Sequence, residues 1–111
     1  MSNNPSLLIA LSTYPSSGAA EAVAQAVIEK RLGACVQILP GVTSFYPWAG
    51  KLEKETEVLL LIKTLDSQKE ELSDFLKARH PYQVPEIIFL KADSVHEAYL
   101  EWLCNWVRPS Q

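Results

Sequence analysis

Two unbroken apolar runs, Leu7-Leu8-Ile9-Ala10-Leu11 and Val58-Leu59-Leu60-Leu61-Ile62, set the strongest limit on what this chain can fold into. A strand with one wet face alternates apolar and polar residues, so a run without alternation belongs to a strand covered on both faces. The two runs are therefore expected at the centre of one sheet.

The segments around them supply the other elements. From Ala19 to Leu32 the positions Ala20, Val23, Ala24, Val27 and Ile28 recur at helical spacing, with Glu21, Gln25 and Glu29 on the opposite face. Gly33 is expected to supply the left-handed residue that stops this helix. Ala34 to Tyr46 reads as a long strand broken by Pro40-Gly41, a pair that suggests a kink or bulge. Pro47-Trp48-Ala49-Gly50-Lys51 carries the turn, and the next strand runs from about Leu52 to Thr64, opening with Glu53, Glu55 and Glu57 on one side. Ser67-Gln68-Lys69-Glu70 reads as a capping box for a helix with the stripe Leu72, Phe75, Leu76, which Pro81 ends just after His80. Glu86 to Ala92 reads as a fourth strand, and Ser94-Val95-His96-Glu97 as a second capping box opening a C-terminal helix.

The order is thus β-α-β-β-α-β-α. Two right-handed β-α-β halves interleave into a four-stranded antiparallel sheet whose first and third strands are central, and those strands carry the unbroken apolar runs. The expected class is α+β: a ferredoxin-like βαββαβ sandwich with helices on one sheet face, a long projecting hairpin and an extra C-terminal helix. We read residues 1–111 as one domain with an ordered core of about 7–107.

The formal net charge of −3 is scattered, with no basic run able to neutralise several phosphates, so nucleic acid is not an expected partner. The polar N-terminus lacks a basic leader region, and its apolar run is too short for a signal peptide or a membrane span, which points to the cytoplasm and to no membrane insertion. Cys35 and Cys104, without CxxC spacing, read as buried reduced thiols.

The chain should not be a monomer. A hairpin with strands of about a dozen residues reaches roughly 40 Å and must project past its own helices. Val42, Phe45, Tyr46 and Trp48 lie near its tip, where a neighbouring subunit is the natural cover. The last helix is also apolar over most of its surface, with Tyr99, Trp102 and Trp106 in one stripe and Leu100, Leu103 and Val107 in another. Phe45, Tyr46, Trp48, Trp102 and Trp106 are the expected interface anchors.

Catalytic signatures are missing: the chain has no GxSxG elbow, Walker loop or HExxH, and an enzyme is not indicated. An acylphosphatase would need an arginine in the first loop, where Thr13 to Gly18 has none. An RNA-recognition domain would need exposed aromatics on the third strand, which holds Val58 to Ile62. The most distinctive chemistry lies in His80-Pro81-Tyr82-Gln83-Val84-Pro85-Glu86, an imidazole, a phenol and a carboxylate on a loop stiffened by two prolines.

That segment, with Ala34-Cys35-Val36, Ser44-Phe45-Tyr46-Pro47-Trp48-Ala49-Gly50-Lys51, Glu57, Ile62-Lys63-Thr64 and Tyr99-Leu100-Glu101-Trp102, closely resembles the CutA family in order and spacing, from about Leu8 to Trp106. The resemblance implies a ferredoxin-like subunit in a tight homotrimer, linked to divalent-cation binding and tolerance, copper above all, and no catalytic reaction. Copper assignments in some members use a cysteine and two adjacent histidines at positions that here hold Ser12, Arg79 and His80. His80 is then the remaining metal donor, and binding of copper or another divalent cation should be weak.

By analogy with other trimeric ferredoxin-like regulators, Cys35, Glu57, Lys63, Tyr82 and Glu86 are candidates for lining a cleft between subunits, and Glu57, Lys63 and Glu86 for a charge network. A small-ligand or nucleotide-sensing trimer is the alternative function, and a scaffold presenting its loops to a partner is a third.

Overall fold

The computed structural model describes residues 5–107. Its elements are β1 (Leu7–Tyr14), α1 (Ser17–Glu29), β2 (Cys35–Trp48), β3 (Lys51–Leu65), a 3₁₀ turn (Asp66–Gln68), α2 (Lys69–Arg79), β4 (Ile88–Lys91) and α3 (Glu97–Trp106). All strand pairs are antiparallel and the order is β2-β3-β1-β4, so the two apolar runs are the central strands as expected.

Alternation along β1 and β3 separates two faces. Ala10, Tyr14, Val58, Leu60 and Ile62 point into a core closed by Ala20, Val23 and Val27 of α1 and by Leu72 and Leu76 of α2. α3 covers only one end of the opposite face, where Leu103 and Val107 pack on Leu7 and Leu65. The helices therefore do not all share one face. The rest of the second face is open: Leu11, Leu59 and Leu61 are half-buried, while Leu39, Ile88 and Leu90 are 42%, 46% and 49% exposed. The strand register puts Leu39 opposite Leu59, and Ile88 opposite Leu11.

β2 and β3 form the long hairpin. A bulge lies between Leu39 and Val42, at the expected Pro40-Gly41, with Gly41 at φ +74°. The reversal is tighter than the sequence suggests, because Pro47 and Trp48 still pair and only Ala49 and Gly50, both at positive φ, make the turn. Two such residues define a type I′ connection, whose twist matches that of the strands. The hairpin gives the molecule its 49 Å length against 26 × 24 Å across.

Three local expectations are corrected. The left-handed residue after α1 is Arg31 at φ +60°, not Gly33. Gly33 is required by proximity instead, since a Cβ there would lie 3.0 Å from Ile62 Cγ2 and 3.1 Å from the Lys63 carbonyl. Neither expected capping box forms: Gln68 and His96 occupy the N-cap positions of α2 and α3 without side-chain caps. Ser16 is the side-chain cap, its Oγ accepting from the Ala19 amide at 3.2 Å. The fourth strand is also shorter than expected, covering only Ile88–Lys91.

Candidate functional site

Residues 80–86 leave α2 at a proline and run beside the end of β1, while the hairpin rises on the other side. Between them lies a cleft of about 930 Å³. Thr13 and Pro15 line its base, Ser44, Tyr46 and Trp48 come from β2, Glu53, Glu55 and Glu57 from β3, and Pro81, Tyr82, Val84 and Glu86 from the loop. The register places Ser44 opposite Glu55, and Tyr46 opposite Glu53, so the two-residue period of β3 delivers its glutamates to one wall.

Glu57 is 8% exposed and accepts a 2.9 Å hydrogen bond from the Tyr82 hydroxyl. Burial, together with that bond and the Glu57 charge, raises the Tyr82 phenol well above its ordinary range. Partial desolvation and then the charges of Glu55, Glu57 and Glu53 raise Tyr46 as well. The cleft is a site of negative potential with aromatic walls.

Behind the cleft, His80 stacks on the buried Tyr14, with ring centres 4.4 Å apart and planes tilted by 25°. Its Nδ1 accepts the Tyr82 backbone N–H at 3.1 Å. A ring nitrogen that accepts an N–H bears no proton, so in the neutral ring the proton sits on Nε2. Nε2 is buried without a hydrogen-bond partner, as are Ser12 Oγ and Tyr14 OH close by.

In this conformation one His80 nitrogen accepts an amide and the other is buried, so neither stands open to a metal ion. The two positions implied beside it do not help. Ser12 is fully buried in the core, and the Arg79 guanidinium lies over Phe75 at 4.9 Å. Among the described residues, no group of three or more His, Cys, Asp or Glu side chains is placed to hold a metal ion.

The cleft candidates fall into two groups. Glu57, Tyr82 and Glu86 meet in the cleft. Cys35 and Lys63 are cross-strand partners six residues further along β3, roughly 20 Å away by strand rise. There Lys63 donates to Gln37 Oε1, and the Tyr99 hydroxyl is raised by burial and by its hydrogen bond with Cys35. The expected Glu57–Lys63–Glu86 charge network is therefore not formed within one chain. All the expected anchors are exposed, Phe45, Tyr46, Trp48, Trp102 and Trp106 by 64%, 36%, 47%, 51% and 36%, and Trp106 also contacts Arg31 and Ile28 within the chain.

Reading the sequence alone missed Glu53 and Glu55 as cleft residues, although their alternation with Glu57 was the signal. The Tyr14–His80 stack leaves no local trace either, because Thr13 to Gly18 reads as a loop whereas β1 continues through Tyr14.

A family model described as "CutA1 divalent ion tolerance protein" matches residues 8–105. The chain belongs to that family. Human Protein CutA is 44% identical over 98 residues, covering 88% of this chain, which spans only 55% of the human protein. The divalent-cation tolerance protein CutA of Thermus thermophilus is 44% identical over 95 residues, covering 86% of this chain and 92% of that one. The crystal structure of CutA1 from Oryza sativa superposes with a TM-score of 0.93 at 39% identity, covering 98% of this chain and all of the other. The CutA1 fold is thus shared over nearly the whole chain.

Proposed function

We propose that this CutA1 chain acts as a cytoplasmic, non-enzymatic homotrimer in divalent-cation tolerance. The observation that carries the assembly is the open sheet face. The unbroken apolar runs require cover on both faces, and one chain covers one face and an end of the other. Leu39, Ile88 and Leu90 stand exposed beside half-buried Leu11, Leu59 and Leu61, and the register puts Tyr46 and Trp48 of the hairpin on the same face. A second and third copy supply the missing cover, in keeping with the family resemblance. The two half-buried free thiols fit a reducing compartment.

Copper or another divalent cation engages this trimer weakly, because Ser12 and Arg79 stand where the family resemblance implies donors beside His80. The test is light scattering of the purified, untagged protein combined with metal analysis. The expected result is a mass of three chains with copper well below one ion per chain. A monodisperse monomer at micromolar concentration overturns the assembly, and one tightly held ion per chain overturns weak binding.

The acidic cleft supports a second reading, a small-ligand module with its sites between subunits. Four carboxylates repel phosphates, so its ligand is a small cation rather than a nucleotide, seated against Tyr46 and Trp48. Calorimetry with spermidine and with ATP separates the two ligand classes. Binding of ATP but not spermidine refutes this reading.

A further inference from the structure

Glu57 and Lys63 stand on one face of β3 and bracket its open apolar strip. The two-residue period of the strand turns both the same way, with Leu59 and Leu61 between them. Neither charge is neutralised within the chain. Glu57, 8% exposed, is held by the neutral Tyr82 hydroxyl, and half-buried Lys63 donates to the neutral Gln37 side chain; among the described residues no ion pair reaches either. We propose that Lys63 of each subunit enters the cleft of a neighbouring copy and pairs with Glu57 there, so that every cleft is completed by two chains.

The pair rests on the assembly put forward under Proposed function and specifies how its subunits meet. β1 accompanies β3 only from Val58 onward, so Glu57 is the first residue of the part of the hairpin that projects past the body of its own chain. Lys63 lies within the body, between Ile9 of β1 and Cys35 of β2. Seating the hairpin of one chain on the sheet of the next covers the apolar strip and carries a carboxylate towards an ammonium that stands roughly 20 Å away along its own strand. A ring of subunits joins two different patches of each chain, and these two ends of one face are such patches.

Other cations are engaged or turned elsewhere. Arg31 lies on Trp106, Lys30 and Arg79 on Phe75 and Lys54 on Phe45, while Lys51 is exposed at the hairpin turn. Covering the face removes water from Glu57 and Lys63 together. Left apart, two desolvated charges oppose assembly; paired, they offset that cost and fix the register of one subunit on the next.

The test is a double-mutant cycle on dissociation of the full-length oligomer, read by sedimentation across a dilution series for wild type, Lys63→Met, Glu57→Gln and the double variant. Each single change leaves the opposite charge buried without its partner and should raise the concentration of half-dissociation by about tenfold or more. The double variant carries neither charge and should dissociate no more readily than the weaker single variant. Residues this far apart in one chain act additively, so coupling of the two changes arises across the interface. Acetylation of the intact oligomer with an amine-reactive ester, followed by peptide mass spectrometry, is the second readout. Lys63 should react far more slowly than Lys51 in the wild type and faster in Glu57→Gln. Multiplicative effects in the double variant, single variants that dissociate as the wild type does, or a wild-type Lys63 that reacts as fast as Lys51 would overturn the pair while leaving the oligomer standing. A wild-type monomer in light scattering removes the assembly and the pair together. The wild-type comparison of Lys63 with Lys51 applies even if a single variant does not fold.

Discussion

The guanidinium of Arg31 lies 3.9 Å from the centre of the Trp106 ring, and the indole Nε1 of that Trp106 donates a 3.0 Å hydrogen bond to the Ile28 carbonyl. The chain leaving α1 thus clasps the end of α3. Arg31 reaches the ring in a left-handed conformation, which costs about 1–2 kcal/mol for a residue with a Cβ. A cation–π contact at an exposed site returns about 0.5–1 kcal/mol and the hydrogen bond about 1 kcal/mol, so the clasp roughly offsets its own strain while fixing where α3 sits.

Trp106 should accordingly matter to folding more than to assembly. Trp106→Phe keeps an aromatic face for Arg31 but removes the donor to Ile28, and should lower stability by roughly 1 kcal/mol. Trp106→Ala removes both contacts and should lower it by roughly 2 kcal/mol. Urea unfolding gives these values, and sedimentation shows whether the oligomer survives. Dissociation without loss of stability would return Trp106 to the subunit interface.

Gly33 and Arg31 can be told apart by substitution. Gly33→Ala drives a methyl group against Ile62 Cγ2 and the Lys63 carbonyl, where the Ala34 amide is bonded, and should destabilise by about 1–3 kcal/mol. Arg31→Gly relieves the left-handed strain while losing the Trp106 stack, and should change stability by less than about 1 kcal/mol. Thermal melts that rank the two in the opposite order would refute this assignment of roles.

The contrast between these two residues marks how far the sequence could be read. Local pattern located the four strands and the three α-helices, and the two apolar runs placed β1 and β3 at the centre of the sheet, because burial on both faces leaves a one-dimensional trace. What depends on a three-dimensional approach was not visible. The distance from Gly33 to Ile62, the carboxylate row meeting a distant loop, and the orientation of the His80 ring are set by tertiary contacts between residues far apart in sequence. The same limit explains the missing capping boxes. Local pattern gives Ser67 and Ser94 the right spacing, but the 3₁₀ turn at Asp66–Gln68 and the start of α3 at Glu97 move both helix ends past them.

Assembly should fail first on the open sheet face. Ile88→Lys places a charge among Leu11, Leu59 and Leu61, which a facing subunit would have to bury without a partner, and dissociation should rise by tenfold or more, as unpaired buried charge is strongly unfavourable. Trp48→Ala should weaken the same assembly by about 2 kcal/mol if the hairpin is a central anchor. Analytical ultracentrifugation across a dilution series reads both. An Ile88→Lys protein that remains an undiminished oligomer would locate the interface elsewhere.

Alkaline solution should expose the tyrosines' contribution. Tyr14, Tyr46, Tyr82 and Tyr99, which are all the tyrosines of the chain, are each raised above the ordinary phenol value of 10.0, with burial the leading cause in every case. A raised phenol favours the neutral form in the folded state. Its stabilisation is therefore complete below pH 10 and is lost as the pH rises, because the unfolded chain ionises first. Tyr82 should dominate among the exposed-side groups, since ionisation would place its oxygen beside the Glu57 carboxylate it now donates to. Tyr82→Phe should be less stable than wild type by roughly 1 kcal/mol at pH 8, from the lost hydrogen bond. Above pH 10 its melting temperature should fall less steeply than that of the wild type, so the two curves converge. Comparing the pair cancels the lysines, which titrate in the same range in both proteins. Parallel curves from pH 8 to 11.5 would mean that the Tyr82–Glu57 bond does not couple to the stability of the fold.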